Sequence, residues 1–154
     1  MKKVQILLMI MALLFSLAAS AEDKKSGENE TVKAYASIGS LKMYYETHGA
    51  GAPLVLIHGG LCTIEACFGK LIPPLAKTRR VIAMELQAHG HTADVDRPLT
   101  YPQLANDVVA LLGQLGVGQA DFLGYSIGSG VALEITMRHP GLVRKLVLAG
   151  GGIK

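Results

Sequence analysis

The sequence predicts an α/β fold, a mostly parallel β-sheet with helices on both faces, and three observations predict it. Residues 54–57 form a continuous apolar run, as in a strand buried on both faces, and 80–86, 120–124 and 143–149 read as further buried strands. Helical patterns at 100–115 and after 126 alternate with those strands, which is the order of a sheet covered on both sides. Between the third of these strands and its helix lies Gly124-Tyr125-Ser126-Ile127-Gly128. That turn is so tight that the positions flanking the serine need residues with almost no side chain, and glycine supplies them. Its serine hydroxyl is pushed out beyond the carboxyl end of the strand.

At 154 residues the chain allows one domain at most. The N-terminus reads as a targeting segment. Met1-Lys2-Lys3 is positive, residues 6–15 are unbrokenly apolar, and Ala19-Ser20-Ala21 is an A-x-A cleavage site. The run is short for a bilayer span, which takes about 20 apolar residues. Residues 1–21 are therefore expected to be a secretory signal peptide, and the mature protein secreted or periplasmic. An uncleaved leader that tethers the chain to the membrane is the alternative. No cysteine lies near the cleavage site, so neither a lipid anchor nor a stable membrane anchor after cleavage is expected. Without Lys2 and Lys3 the chain carries 13 basic and 12 acidic residues, a balance that offers no footprint for nucleic acid or an anionic membrane.

Along the mature chain, 22–31 is a polar tail and 32–154 the folded part. Residues 32–37 and 41–46 alternate and read as a hairpin joined by Ile38-Gly39-Ser40. After the strand 54–57, a helix is expected from near Thr63, carrying Ala66, Phe68, Leu71 and Leu75 inward until Pro73-Pro74 disturb it. Two cysteines on one such helix, five residues apart, would lie too far apart to bridge, so Cys62 and Cys67 are expected to be unpaired. A bridge stays open for the case in which Cys62 precedes the helix. Residues 87–98 form a polar loop. Thr100 with Gln103 makes a capping-box pattern for the next helix, whose stripe is Leu104, Val108, Leu111, Leu112 and Leu115. Gly116 and Gly118 end it. His139-Pro140-Gly141 ends the helix after Ser126.

Three motifs in order, Leu56-Ile57-His58-Gly59-Gly60, Glu85-Leu86-Gln87-Ala88-His89-Gly90-His91-Thr92 and Gly124-Tyr125-Ser126-Ile127-Gly128, make the chain resemble the α/β-hydrolase family over nearly all its mature length. The middle motif departs from the family's Asp-x-x-Gly-His-Gly, with Glu85 for Asp and Ala88 for the first Gly. The resemblance implies Ser126 as nucleophile on an elbow shaped by Gly124 and Gly128. It implies oxyanion donors from the backbone of Ile127 and of Gly60 or Leu61. His58 resembles the structural histidine of the first motif. His89 and His91 look like a metal pair, but no third ligand is spaced to join them, and neither metal nor cofactor is expected. His48 reads as a surface loop residue.

In this family the acid and the histidine follow the serine. After Ser126 the only such residues are Glu134 and His139, both on the elbow helix and out of reach. The expectation is thus the N-terminal part of an α/β-hydrolase fold lacking its C-terminal strands; if Lys154 is the true terminus, residues 143–149 become an exposed apolar sheet edge. Such a chain is expected to be poorly soluble and to have little esterase activity. The leading reading is a serine hydrolase for a small ester, lactone or similar acyl substrate. The alternatives are an inactive fragment that binds a small molecule or partner, and a non-hydrolytic member of the fold such as a perhydrolase or lyase. Nothing in the sequence sets the substrate or the oligomeric state.

Overall fold

The computed structural model describes residues 31–151. The expected signal peptide, and the tail up to residue 30, lie outside the described residues. Six strands form one sheet: β1 (Val32–Ile38), β2 (Leu41–His48), β3 (Ala52–Ile57), β4 (Arg79–Met84), β5 (Ala120–Tyr125) and β6 (Val143–Ala149). Their order across the sheet is β1-β2-β4-β3-β5-β6. β1 and β2 pair antiparallel as the expected hairpin, and β2 meets β4 antiparallel. From β4 onward every pairing is parallel. The chain steps from β3 outward to β4 and then crosses back to β5 on the other side of β3. In open α/β sheets ligands gather where the strand order reverses in this way, beyond the carboxyl ends of the strands.

Two apolar layers cover the sheet. On one face α3 (Tyr101–Gln114) and α4 (Ile127–Arg138) bury Leu104, Val108, Leu111, Val131 and Ile135 against Val55, Ile57 and Phe122. On the other, α1 (Ile64–Phe68) and α2 (Ile72–Ala76) bury Ile64, Phe68 and Ile72 against Leu54, Leu56 and Val81. β3 and β4 thus touch apolar neighbours on both sides, which is why their sequences do not alternate. Of the stripe of α3, Leu104, Val108, Leu111 and Leu112 are buried as the spacing predicts, while Leu115 is the C-cap and only half-buried. The Thr100 hydroxyl caps it by accepting the Gln103 N–H at 3.3 Å. The reciprocal half of the capping box does not form, because the Gln103 amide donates instead to Asp107 at 3.1 Å.

Four expectations are corrected. The single helix expected after Thr63 is two short ones. Pro73 and Pro74 open the second rather than disturb the first, since proline fits a first helical turn. The break rotates the pattern, so Ile64 and Ile72 go inward while Ala66 and Leu71 are exposed. Cys62 and Cys67 are joined in a disulfide with Cα atoms 6.1 Å apart. Thr63 is the N-cap of α1, which leaves Cys62 outside the helix and within bridging distance. β6 is not buried: Arg144, Lys145 and Val147 are exposed, because α4 covers only one of its faces. Finally, His48 is no loop residue but the last residue of β2, its Nε2 2.8 Å from the Glu46 carboxylate.

Candidate active site

Ser126 is one of three non-glycine residues at positive φ among the described residues. β5 ends at Tyr125 and α4 begins at Ile127, so Ser126 alone reverses the chain, with φ 53° and ψ −115°. A non-glycine residue held there costs on the order of 1–3 kcal/mol and persists only where its surroundings impose it. They do so here. The Ser126 N–H donates to Ala149 O at 2.8 Å, and Ser126 O accepts from Ser129 N at 2.9 Å. The Ser129 hydroxyl lies 2.7 Å from Gly124 O and 3.0 Å from Ala149 O, tying the base of the turn to β6. A Cβ on Gly124 would stand 2.3 Å from Gly128 O, and one on Gly128 would stand 2.1 Å from Ile57 O. Both positions exclude any larger residue.

The His58-Gly59-Gly60 segment leaves β3 directly beside this turn. A Cβ on Gly59 would lie 2.9 Å from the Tyr125 ring and 3.2 Å from Ser126 Cβ, and one on Gly60 would lie 2.8 Å from the Ile127 side chain. The two motifs therefore share one rim. Leu61 follows with φ 55° and a fully exposed side chain. Among the described residues no acceptor takes the backbone N–H of Gly60, Leu61 or Ile127. The Ser126 side chain makes no capping bond to its helix and is half-buried. Serine, loop and helix N-terminus thus present one hydroxyl and a set of uncommitted donors around a common opening.

No base stands behind that hydroxyl among the described residues. Glu134 is paired with Arg138 one turn on, and His139 is the C-cap of α4 at the far end of the helix. A family model of the α/β hydrolase fold matches residues 52–153. The chain belongs to the α/β-hydrolase family. It is 40% identical over 105 residues to 2-hydroxymuconate semialdehyde hydrolase of Pseudomonas sp. (strain CF600), covering 66% of this chain and 37% of that one. It is 34% identical to pyrrolizixenacetamide deacetylase of Xenorhabdus hominickii, covering 73% of this chain and 42% of the relative. Among solved structures it superposes on an N-acyl homoserine lactone degrading enzyme with a TM-score of 0.74 at 29% identity, covering 77% of this chain and 45% of that one. The chain spans less than half the length of each of these relatives.

In this α/β-hydrolase chain the first motif is pinned from below by His58. Its Nε2 accepts the Leu86 N–H at 3.0 Å, so Nδ1 carries the proton and donates to Gly59 O at 2.7 Å. Burial pushes the His58 pKa down, against the raising effect of the bond to Gly59, and the ring stays neutral in its bridging role between β3 and β4. The departures in the middle motif also have a structure. Glu85 is buried, and its longer side chain accepts the Ile64 N–H at 3.2 Å and both the backbone N–H and Nδ1 of His91. Gly90 makes room, since a Cβ there would stand 2.2 Å from that carboxylate. Ala88 keeps the left-handed turn, with φ 62°, at a position where a glycine would adopt it freely. His89 and His91 do not converge: His89 Nδ1 bonds Gln87 O at 2.8 Å while His91 faces Glu85.

Beside Ile127 lies a pocket of about 450 Å³ that the sequence did not announce. It is lined by His89 from the start of the loop after β4, Leu99 and Thr100 from its end, the first turn of α3 and Ile127. No local pattern marks it, because its walls come from segments some 25 residues apart.

Proposed function

We propose that Ser126 is the nucleophile of a serine hydrolase acting on a small ester, lactone or similar acyl substrate. The observation that carries this is the strained turn at Ser126, whose hydroxyl makes no bond to its helix and which lies beside the His-Gly-Gly loop, where the backbone N–H groups of Ile127 and of Gly60 or Leu61 have no acceptor among the described residues. In the proposed reaction the serine oxygen bonds to the acyl carbon, and the carbonyl electron pair moves onto its oxygen. The two backbone donors hold that oxyanion; its collapse expels the alcohol, and water then releases the acyl group from the serine. The fixed turn holds Ser126 against helix and loop throughout, so little reorganisation is needed at the moment of attack. The serine proton needs an acceptor, and the proposal assigns that role to a group outside the described residues. Two of these relatives act, by name, on an acetamide and an acyl homoserine lactone, which supports an acyl-type substrate, while the third is named for a semialdehyde.

The same reading places the mature protein outside the cytoplasm, on the strength of the leader at residues 1–21. The Cys62–Cys67 bridge supports an oxidising compartment. A second reading, a binding role without turnover, is favoured by the absence of a base near Ser126 among the described residues. Turnover of p-nitrophenyl acetate separates the two. Weak hydrolysis that vanishes in Ser126→Ala is expected, since only the serine oxygen can form the acyl intermediate through which the proposed reaction runs. Hydrolysis that Ser126→Ala leaves unchanged would overturn the proposal, and a folded chain with none at all would favour the binding role.

A further inference from the structure

The pocket beside Ile127 opens next to the proposed oxyanion donor but belongs to neither the elbow nor the His-Gly-Gly loop. Its apolar walls are Leu99, Tyr101, Pro102, Leu104 and the side chain of Ile127. Of the remaining side chains, the Thr100 hydroxyl accepts the Gln103 N–H and His89 Nδ1 bonds Gln87 O, which leaves His89 Nε2 as the ring nitrogen without a partner among the described residues. A pocket so lined offers a ligand apolar contact and little hydrogen bonding. At about 450 Å³ it falls in the size range of small-molecule sites, roughly 300–1,000 Å³.

The walls are held in place before any ligand arrives. Two residues ahead of Leu99, the Arg97 guanidinium donates to both carboxylate oxygens of the buried Asp107, at 3.1 and 2.6 Å, and to Gln87 Oε1 at 2.7 Å. The Gln87 amide in turn donates to Asp94 and to Val95 O, fixing the loop that delivers Leu99. Tyr101 is seated against α4, where a Cβ on Gly130 would stand 2.4 Å from its ring. Ile127 joins the pocket to the site, because its backbone N–H, next to Ser126, has no acceptor among the described residues while its side chain both lines the pocket and packs beside Gly60.

Resting on the reading of Ser126 as nucleophile, we infer that this pocket receives the apolar acyl chain of the substrate, and that the enzyme prefers medium-length aliphatic acyl groups over acetyl. Leu99, Tyr101 and Ile127 are then the residues that set chain length. Each buried methylene contributes roughly a fourfold preference, so two of them give about fifteenfold.

The test separates the pocket from the nucleophile by running the binding arm on Ser126→Ala. That chain is titrated with hexanamide and with butanamide, neutral acyl groups it does not cleave, and followed by amide resonances. Hexanamide is expected to bind about fifteenfold tighter and to shift Leu99, Thr100, Tyr101, Leu104 and Ile127. Leu99→Glu, at an exposed position that leaves the core untouched, is expected to reduce that preference severalfold. Equal affinities, or shifts confined to another face, would overturn the inference whatever Ser126 does. In the turnover arm, the hexanoyl ester of p-nitrophenol is expected to outrun the acetyl ester in the unsubstituted chain. The reverse ranking would also overturn it.

Discussion

Gly128 lies against the carbonyl oxygen of Ile57 so closely that a methyl group on it would stand 2.1 Å away. The second elbow glycine is therefore also the contact by which α4 reaches the end of β3, and the turn at Ser126 and the loop at His58 are parts of one packing arrangement. Gly128→Ala must push helix or strand aside, and a loss of about 3 kcal/mol or more is expected. Gly113 is the contrast, near the end of α3 with nothing within 4 Å of an added Cβ. Gly113→Ala is expected to stabilise by up to about 1 kcal/mol through helix propensity. Thermal melts of the two variants side by side check both signs.

Ala88→Gly is expected to stabilise the chain. Ala88 is exposed and sits at φ 62°, where a Cβ costs about 1–2 kcal/mol. Glycine removes that cost but loses about 0.5–1 kcal/mol of backbone entropy, leaving a gain of about 0.5–1 kcal/mol. A rise of about 2–4 °C in the melting temperature is the expected reading. A fall would mean that the turn is not left-handed in solution.

Acidification is expected to weaken the fold in two stages. The Arg144 guanidinium, donating at 2.7 Å from two nitrogens, and then Arg79 at 2.7 Å hold the Asp121 carboxyl well below the usual carboxylate range, against the opposing effect of burial. A carboxyl depressed in the folded state contributes stability that is complete above its unfolded pKa, about 3.9, and is lost as pH falls through the folded value. Burial lowers the His58 pKa as well, so its stabilising contribution is complete above about pH 6.5 and shrinks as pH falls toward the folded value. Denaturant titrations at stepped pH should show the His58 stage first and the Asp121 stage below about pH 4. Asp121→Asn is expected to flatten the second stage alone.

The Cys62–Cys67 disulfide closes a short loop immediately after the His-Gly-Gly segment. Loop-closure entropy for such a span gives about 2 kcal/mol of stabilisation. Dithiothreitol is expected to lower the melting temperature of the unsubstituted chain and to leave that of the Cys62→Ser, Cys67→Ser double variant unchanged. An identical melt with and without reductant would contradict the bridge.

How far the sequence carried the fold depends on whether a position is decided locally. β3, β5 and α3 were legible because burial on two faces, or one stripe and a capping threonine, writes itself into consecutive residues. The elbow was legible because so few residue types fit beside Ser126. The segment after Thr63 is ambiguous in sequence because a proline pair can end one helix or open the next, and the position of Cys62 relative to the helix depends on the same boundary. β6 reads as buried because Leu146, Val147 and Leu148 are apolar, although which faces of a strand are covered depends on what packs there. The pocket beside Ile127 was not legible at all, since Leu99 and Ile127 meet only through the crossing of α3 and α4.

The central claim is that Ser126 is a nucleophile, and covalent capture tests it most directly. The folded chain, its fold verified by circular dichroism, is incubated with a fluorophosphonate probe and mapped by peptide mass. An adduct on Ser126, absent from neighbouring Ser129 and from the Ser126→Ala chain, is the predicted result. A folded chain that carries no adduct, or carries it on any other residue, would contradict the account.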